Sequence, residues 1–186
     1  MPRNRAKTDF PIAQARRFLE PGPVILLTSA WKGEQDVMTL GWHTVMEFTP
    51  SLVGCVIARG NHSHRLVAGS GECAINLPTH ELLDTVVRIG NCSGADVDKF
   101  ATFGLTTEPA QHVGAPLIRE CHAQFECRVA DRRLVKDYDF FVLEVLRARA
   151  AASPRNPRTL HYQGEGRFMV AGDSVSRRRL FTADKL

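Results

Sequence analysis

The stretch Arg59-Gly60-Asn61-His62-Ser63-His64-Arg65 gathers two guanidinium groups, an amide, a hydroxyl, two imidazoles and a glycine in consecutive positions. These are the components of an anion cradle. Arginine binds phosphate through two parallel hydrogen bonds. A helix beginning at Ser63, with Ser63 as its cap, would aim free backbone N–H groups at the same point. The segment directly follows the apolar run Leu52–Ala58, read as a buried strand. An ordinary polar turn is the other reading of these residues. His62 and His64 form an H-x-H pair, which on an extended strand would point to one side and could ligate a metal. No carboxylate or thiol stands at a standard ligand spacing beside them, so no metal site is expected.

Other candidates are more scattered. His43, after Trp42, is either a general acid near a redox centre or a hydrogen-bonded structural histidine. Asp96, Asp98 and Lys99 follow Ser93-Gly94 as a second charged group, which also reads as a solvated helix start with acids in its first turn. No Walker loop and no G-x-G-x-x-G occurs after a strand. Gly164-Glu165-Gly166 reads as a turn. Gly69-Ser70-Gly71 is too short for a hydrolase elbow and precedes a strand instead of following one.

The elements that must position these groups are mostly strands. Val24–Thr28 is short, apolar and bounded by turn residues. Lys32-Gly33-Glu34 predicts a hairpin turn. Val37–Phe48 reads as one long extended stretch with a bulge at Gly41. Glu72–Leu77 is a strand. Thr79 is expected to cap a helix reaching Ile89, with Leu82, Leu83, Val86 and Val87 as its apolar stripe and Gly90 at its end. A short helix is expected near Val97–Phe103. Ala123–Ala130 and Phe140–Arg149 read as a strand pair, and Arg167–Val170 as a last strand. Ile12–Leu19 could form a short helix behind a polar arm. Strands without regularly alternating long helices predict an α+β, mainly β protein built on an antiparallel barrel, not a doubly wound parallel sheet. The expected organisation is an arm with a short helix over 1–20, one domain over 21–172 and a basic tail over 173–186.

Bulk properties narrow the function classes. The 186 residues are 44% hydrophobic and 24% charged, enough for a full core. The formal net charge is +4, with arginines concentrated near both ends. Such a field favours anionic ligands such as phosphorylated cofactors. The middle of the chain mixes both signs and carries no recognised nucleic-acid motif, so a nucleic-acid partner is not expected. No run approaches the roughly 18 apolar residues of a membrane helix, and no secretory leader is read at the start. The five cysteines form no C-x-x-C pair, which fits buried thiols in a reducing cytoplasm.

Several segments taken together resemble the flavin reductase-like, FMN-binding split-barrel family, in its flavoredoxin-like branch. They are Met38-Thr39-Leu40-Gly41-Trp42-His43, Asn61–Leu66, Ala74-Ile75-Asn76-Leu77-Pro78, Ser93-Gly94 through Asp98-Lys99-Phe100, Gly104-Leu105, Ala115-Pro116-Leu117-Ile118, Glu120-Cys121 and Glu126-Cys127. Each is weak alone; their order and spacing from Val24 to Gly172 are specific. The resemblance implies a Greek-key split β-barrel with short peripheral helices. It implies a homodimer with FMN near the subunit interface, and NADH or NADPH as co-substrate. The flavin ring would lie against Met38, Thr39, Leu40, Gly41 and Trp42, with Ala58 and Arg59 on the adjacent strand. The phosphate would fall on Asn61, Ser63, and His64 or Arg65. Lys99 would supply a positive charge near the ring's N1–O2 edge or the phosphate, and His161 and Tyr162 would reach the pocket from a late loop.

On this reading the flavin carries the chemistry and the protein binds, orients and tunes it, so neither a triad nor a carboxylate pair is needed. Hydride would pass from the nicotinamide to flavin, and electrons onward to an acceptor such as a partner oxygenase or redox protein. Two other functions remain open at this point: an FMN-bound electron carrier that does not oxidise NAD(P)H, and a colourless β-barrel gripping nucleic acid through basic residues.

Overall fold

The structure, a computed structural model, describes residues 22–182. The Ile12–Leu19 helix and the 1–20 arm lie outside the described residues, as does the end of the basic tail.

The chain begins with a hairpin of β1 (Ile25–Trp31) and β2 (Glu34–Leu40), in register from Ile25 opposite Leu40 to Trp31 opposite Glu34. Its turn residues Lys32 and Gly33 have φ of 51° and 83°. Two consecutive left-handed residues give the turn whose twist matches that of the strands, and glycine adopts it without a Cβ clash. β3 (His43–Phe48) and β4 (Ser51–Val56) form a second hairpin. Helix α1 (His62–Ser70) leads into β5 (Glu72–Leu77). A 3-10 turn at His80–Leu82 runs into α2 (Leu83–Gly90), and α3 (Lys99–Thr102) follows, capped by Asp98, which accepts the Ala101 N–H. The short strands β6 (Thr107–Glu108) and β7 (Leu117–Ile118) pair with each other. The long strands β8 (Ala123–Asp131) and β9 (Phe140–Ala150) flank α4 (Val135–Tyr138), and β10 (Leu160–Gly164) pairs with β11 (Arg167–Val170).

Seven strands form one antiparallel sheet in the order β2-β1-β5-β8-β9-β4-β3. Alternate residues explain why it curls. Ile25 and Leu27, Met38 and Leu40, Cys73 and Ile75, and Phe141 and Leu143 come from strands spread across the sheet, yet they pack into a single buried cluster. Side chains from one face of a flat sheet would not all meet, so the sheet closes on itself as a barrel. The opposite face of β1 and β2, with Val24, Leu26 and Val37, is covered by Val86 and Ile89 of α2 and Phe100 of α3. β1 is thus buried on both faces, which is why it reads as an unbroken apolar run. The result is a mainly β Greek-key split barrel with short helices on its outside.

Five expectations are corrected. The stretch Val37–Phe48 is not one strand: β2 and β3 are the two opposite edges of the sheet, and Gly41-Trp42 carries the chain across the split between them. Ala58 and Arg59 lie past the end of β4, exposed in the turn before α1 and not on a strand. Asn61, not Ser63, is the N-cap of α1, and Thr79 precedes the 3-10 turn while α2 itself starts at Leu83. His161 and Tyr162 lie on strand β10 and not in a late loop, and that strand exists through its pairing with β11.

Candidate functional site

Two cavities meet along β2. One, of about 510 Å³, is lined by apolar and aromatic groups including Thr39, Trp42, Val86, Val87, Tyr162 and Phe168. The other, of about 240 Å³, is polar and lined by Asp36, Gly60, Asn61, His62, Ser93, Gly94 and Lys99. Gly90 and Asn91 line both. They therefore join into one groove, apolar toward Trp42 and polar toward Asn61. Because β2 is a sheet edge, the groove runs along a strand whose outer backbone groups have no neighbouring strand among the described residues.

The walls come from the elements packed on β2. The Thr39 hydroxyl donates to the Val86 carbonyl at 2.6 Å and seats α2 against the strand. That placement turns Val87, which the helical stripe had suggested as core, toward the cavity at 37% exposure. The β10–β11 hairpin covers the apolar end. The Tyr162 and Phe168 rings pack against each other tilted by 50°, with centroids 5.0 Å apart, and the Tyr162 hydroxyl accepts the Gly166 N–H at 3.3 Å. His161 sits one residue away, on the opposite face of the strand by pleat alternation. There its Nε2 is 2.8 Å from the Thr159 hydroxyl. The hairpin thus presents Tyr162, not His161, to the cavity.

At the polar end, α1 starts with Asn61 in extended conformation, and the Asn61 side chain makes no capping hydrogen bond. The amide-rich first turn of a nine-residue helix is thereby left without a side-chain acceptor, the condition under which a helix start takes an anion. The Ser63 side chain is fully buried and donates to Asp36 Oδ2 at 2.6 Å. Lys99 Nζ lies 3.3 Å from Asp36 Oδ1 and donates to the Val37 carbonyl at 2.8 Å, with both side chains at or below 4% exposure. Asp36 escaped the sequence reading: a single carboxylate on a strand carries no local signal.

The remaining basic groups of the turn are engaged with carboxylates. Arg59 donates to Asp139 Oδ1 at 2.7 Å and also to the carbonyls of Val135 and Lys136. Arg65 pairs with Glu34, and His62 lies 3.4 Å from the same carboxylate. His64 packs edge-on against Phe141 and is 3.8 Å from Asp139. Burial lowers its pKa, partly offset by Asp139, with Arg59 lowering it further. Asp139 is held below the ordinary carboxylate range by its bond from Arg59. Residues two apart diverge on a helix, so His62 and His64 face different partners and do not converge as they would on a strand. Among the described residues, no three His, Cys, Asp or Glu side chains gather as a metal set.

Met38 and Leu40 pack in the barrel core, and Met38 also lines the polar cavity. The imidazole Nε2 of His43 is 2.6 Å from the Pro23 carbonyl oxygen. A carbonyl only accepts, so Nε2 carries the proton and His43 ties β3 to the start of β1. Several segments that carried the family resemblance are structural fasteners. Asn76 and Thr28 hold the 116–118 segment through Ile118 N–H and the Pro116 carbonyl, and Glu126 accepts the N–H groups of Gln111 and His112.

The comparisons agree with this architecture. An uncharacterized protein of Archaeoglobus fulgidus is 35% identical over 129 residues, 69% of this chain and 72% of its own. The FMN-binding domain of a flavin reductases-like enzyme from Shewanella baltica superposes with a TM-score of 0.76 at 25% identity, covering 90% of this chain and 95% of that one. Flavoredoxin of Desulfovibrio vulgaris has the same fold, with a TM-score of 0.82 at 19% identity over 97% of this chain and all of its own. The model of the flavin reductase-like domain matches residues 16–169, and the chain belongs to that family.

Proposed function

We propose that the groove along β2 holds FMN, with the phosphate at the Asn61–Ser63 end and the ring against Thr39–Trp42. The protein then moves reducing equivalents from NADH or NADPH to an acceptor. The observation that carries this reading is the single groove with one polar and one apolar end, joined at Gly90 and Asn91. A flat aromatic ring bearing a phosphate on a flexible chain needs both ends. The likeness to the FMN-binding Shewanella domain supports the choice of flavin.

Bound FMN would supply the hydride and electron chemistry. The chain's residues supply the rest. The backbone N–H groups of His62 and Ser63 and the Asn61 side-chain amide take the phosphate oxygens. The edge of β2 offers backbone donors and acceptors to the polar rim of the ring. Tyr162 and Phe168 shield the ring from water on the hairpin side, while Trp42, 56% exposed, stands at the mouth. No side-chain nucleophile is required.

Edge strand β3 supports a homodimer. Val45, Met46 and Phe48 are 67%, 46% and 84% exposed there, an apolar edge that natural proteins cover. A second copy would bury it beside the Trp42 mouth of the groove. Light scattering that gives a monomer mass would remove this part of the reading.

The deciding experiment is anaerobic mixing of the FMN-loaded protein with NADH or NADPH. Bleaching of the yellow band within seconds establishes a flavin reductase, whose onward acceptor would be a partner oxygenase or redox protein. A yellow protein that does not bleach is an electron carrier. Protein that stays colourless in excess FMN ends the proposal.

A further inference from the structure

Three walls of the polar cavity converge on one carboxylate. Asp36 of β2, only 2% exposed, accepts the Ser63 hydroxyl from α1 and faces the Lys99 ammonium from α3. On its remaining side it meets Gly94, where any Cβ would collide with the carboxylate. A glycine is needed there so that the loop can close over Asp36. Buried charges persist when they are paired and hydrogen-bonded, and this pair is both.

The donor count gives the arrangement a purpose. An ammonium carries three N–H donors. The Val37 carbonyl takes one, while Asp36 Oδ1, 3.3 Å away, holds the ammonium by charge and accepts no hydrogen bond. Lys99 also lines the polar cavity, so a donor not taken by Val37 is available to a ligand. The Ser63 hydroxyl has one proton, and that proton is spent on Asp36. The other basic groups of the turn face carboxylates of their own: Arg59 and His64 face Asp139, and His62 and Arg65 face Glu34.

We propose that Asp36 is the positioning residue of the polar end: it fixes the Lys99 ammonium so that its remaining N–H meets the phosphate of the bound flavin. This rests on the FMN reading above. Ser63 contributes its backbone N–H to the ligand, while its side chain braces Asp36.

The test is fluorescence titration of the full chain with FMN and with riboflavin, which lacks only the phosphate. Wild type is compared with Asp36→Asn, Lys99→Met and the double variant. Losing one charge-assisted bond is expected to weaken FMN binding about tenfold in each single variant and to leave riboflavin within about twofold. The double variant should be no weaker than Lys99→Met alone, because Asp36 acts through Lys99. A variant Asp36→Asn that keeps the wild-type preference for FMN over riboflavin overturns the assignment, as do additive losses in the double variant. Wild type that binds neither flavin is a different result, and overturns the FMN reading itself. Should Asp36→Asn not fold, Ser63→Ala serves in its place. It is expected to weaken FMN binding about threefold with riboflavin unchanged, and equal FMN affinity overturns the proposal.

Discussion

The side-chain oxygen of Asn76 accepts the backbone N–H of Ile118 at 2.8 Å, while its amide nitrogen donates to the Leu26 carbonyl at 3.2 Å. A single buried amide thus joins β1, β5 and β7. Asn76 is fully buried, so its removal strands partners that water cannot reach. Asn76→Ala is expected to destabilise the protein by about 2–4 kcal/mol, from unmet hydrogen bonds and lost packing. Denaturant titration measures this, and a loss under about 1 kcal/mol would show that the network carries little.

Glu126 makes stability depend on acidity. Its burial raises the carboxyl pKa, but the N–H of His112, the guanidinium of Arg147 and the N–H of Gln111 together outweigh burial and hold it below the ordinary 4.5. A depressed pKa stabilises the fold above the unfolded value, and that contribution is lost as pH falls through the folded value. Glu126→Gln should therefore lower the urea midpoint at pH 7 and make the decline below about pH 4.5 shallower. Parallel acid limbs in the two proteins would contradict this.

Gly90 ends α2 at the neck where the two cavities join. A Cβ there would meet Thr39 at an ordinary 3.5 Å, so alanine fits. Gly90→Ala should be neutral or stabilising by up to about 1 kcal/mol through helix propensity. Gly90→Leu should fold but obstruct the groove, weakening FMN binding by about tenfold or more. Unchanged FMN affinity in the leucine variant would place the ligand elsewhere.

Arg59 is a strut by its contacts. Its guanidinium is occupied by Asp139 and two carbonyls of α4. Arg59→Ala should speed amide exchange over residues 135–139 while changing FMN affinity less than about threefold. A larger loss of FMN binding would return Arg59 to the phosphate.

Thiol chemistry should single out Cys92. Cys55, Cys73, Cys121 and Cys127 are free and buried, whereas Cys92 is half-buried. Burial pushes the Cys55 and Cys121 thiols up to about 12. For Cys73, the contact with the Cys127 thiol and burial raise the pKa. Since the thiolate is the reactive form, Ellman's reagent should titrate one fast thiol in the native protein, absent in Cys92→Ser, and the rest on unfolding.

Residue order alone determined the elements with strong local signatures. β1, β5, β8 and β9 follow from apolar and β-branched runs bounded by turn residues, and the hairpin at Gly33 from its turn chemistry. The polar turn before α1 was recognisable because its donors are consecutive. Tertiary structure decided how those elements pair and what the charged groups do. Val37–Phe48 is split because the strand order of the curled sheet makes its two halves opposite edges. The donor that Lys99 gives to Val37 spans 62 positions, and no local pattern encodes such a partner. Arg59, Ser63 and His64 looked like free ligands in the sequence. In the fold Arg59 and His64 meet Asp139 and the Ser63 hydroxyl meets Asp36, partners that packing brings from distant positions.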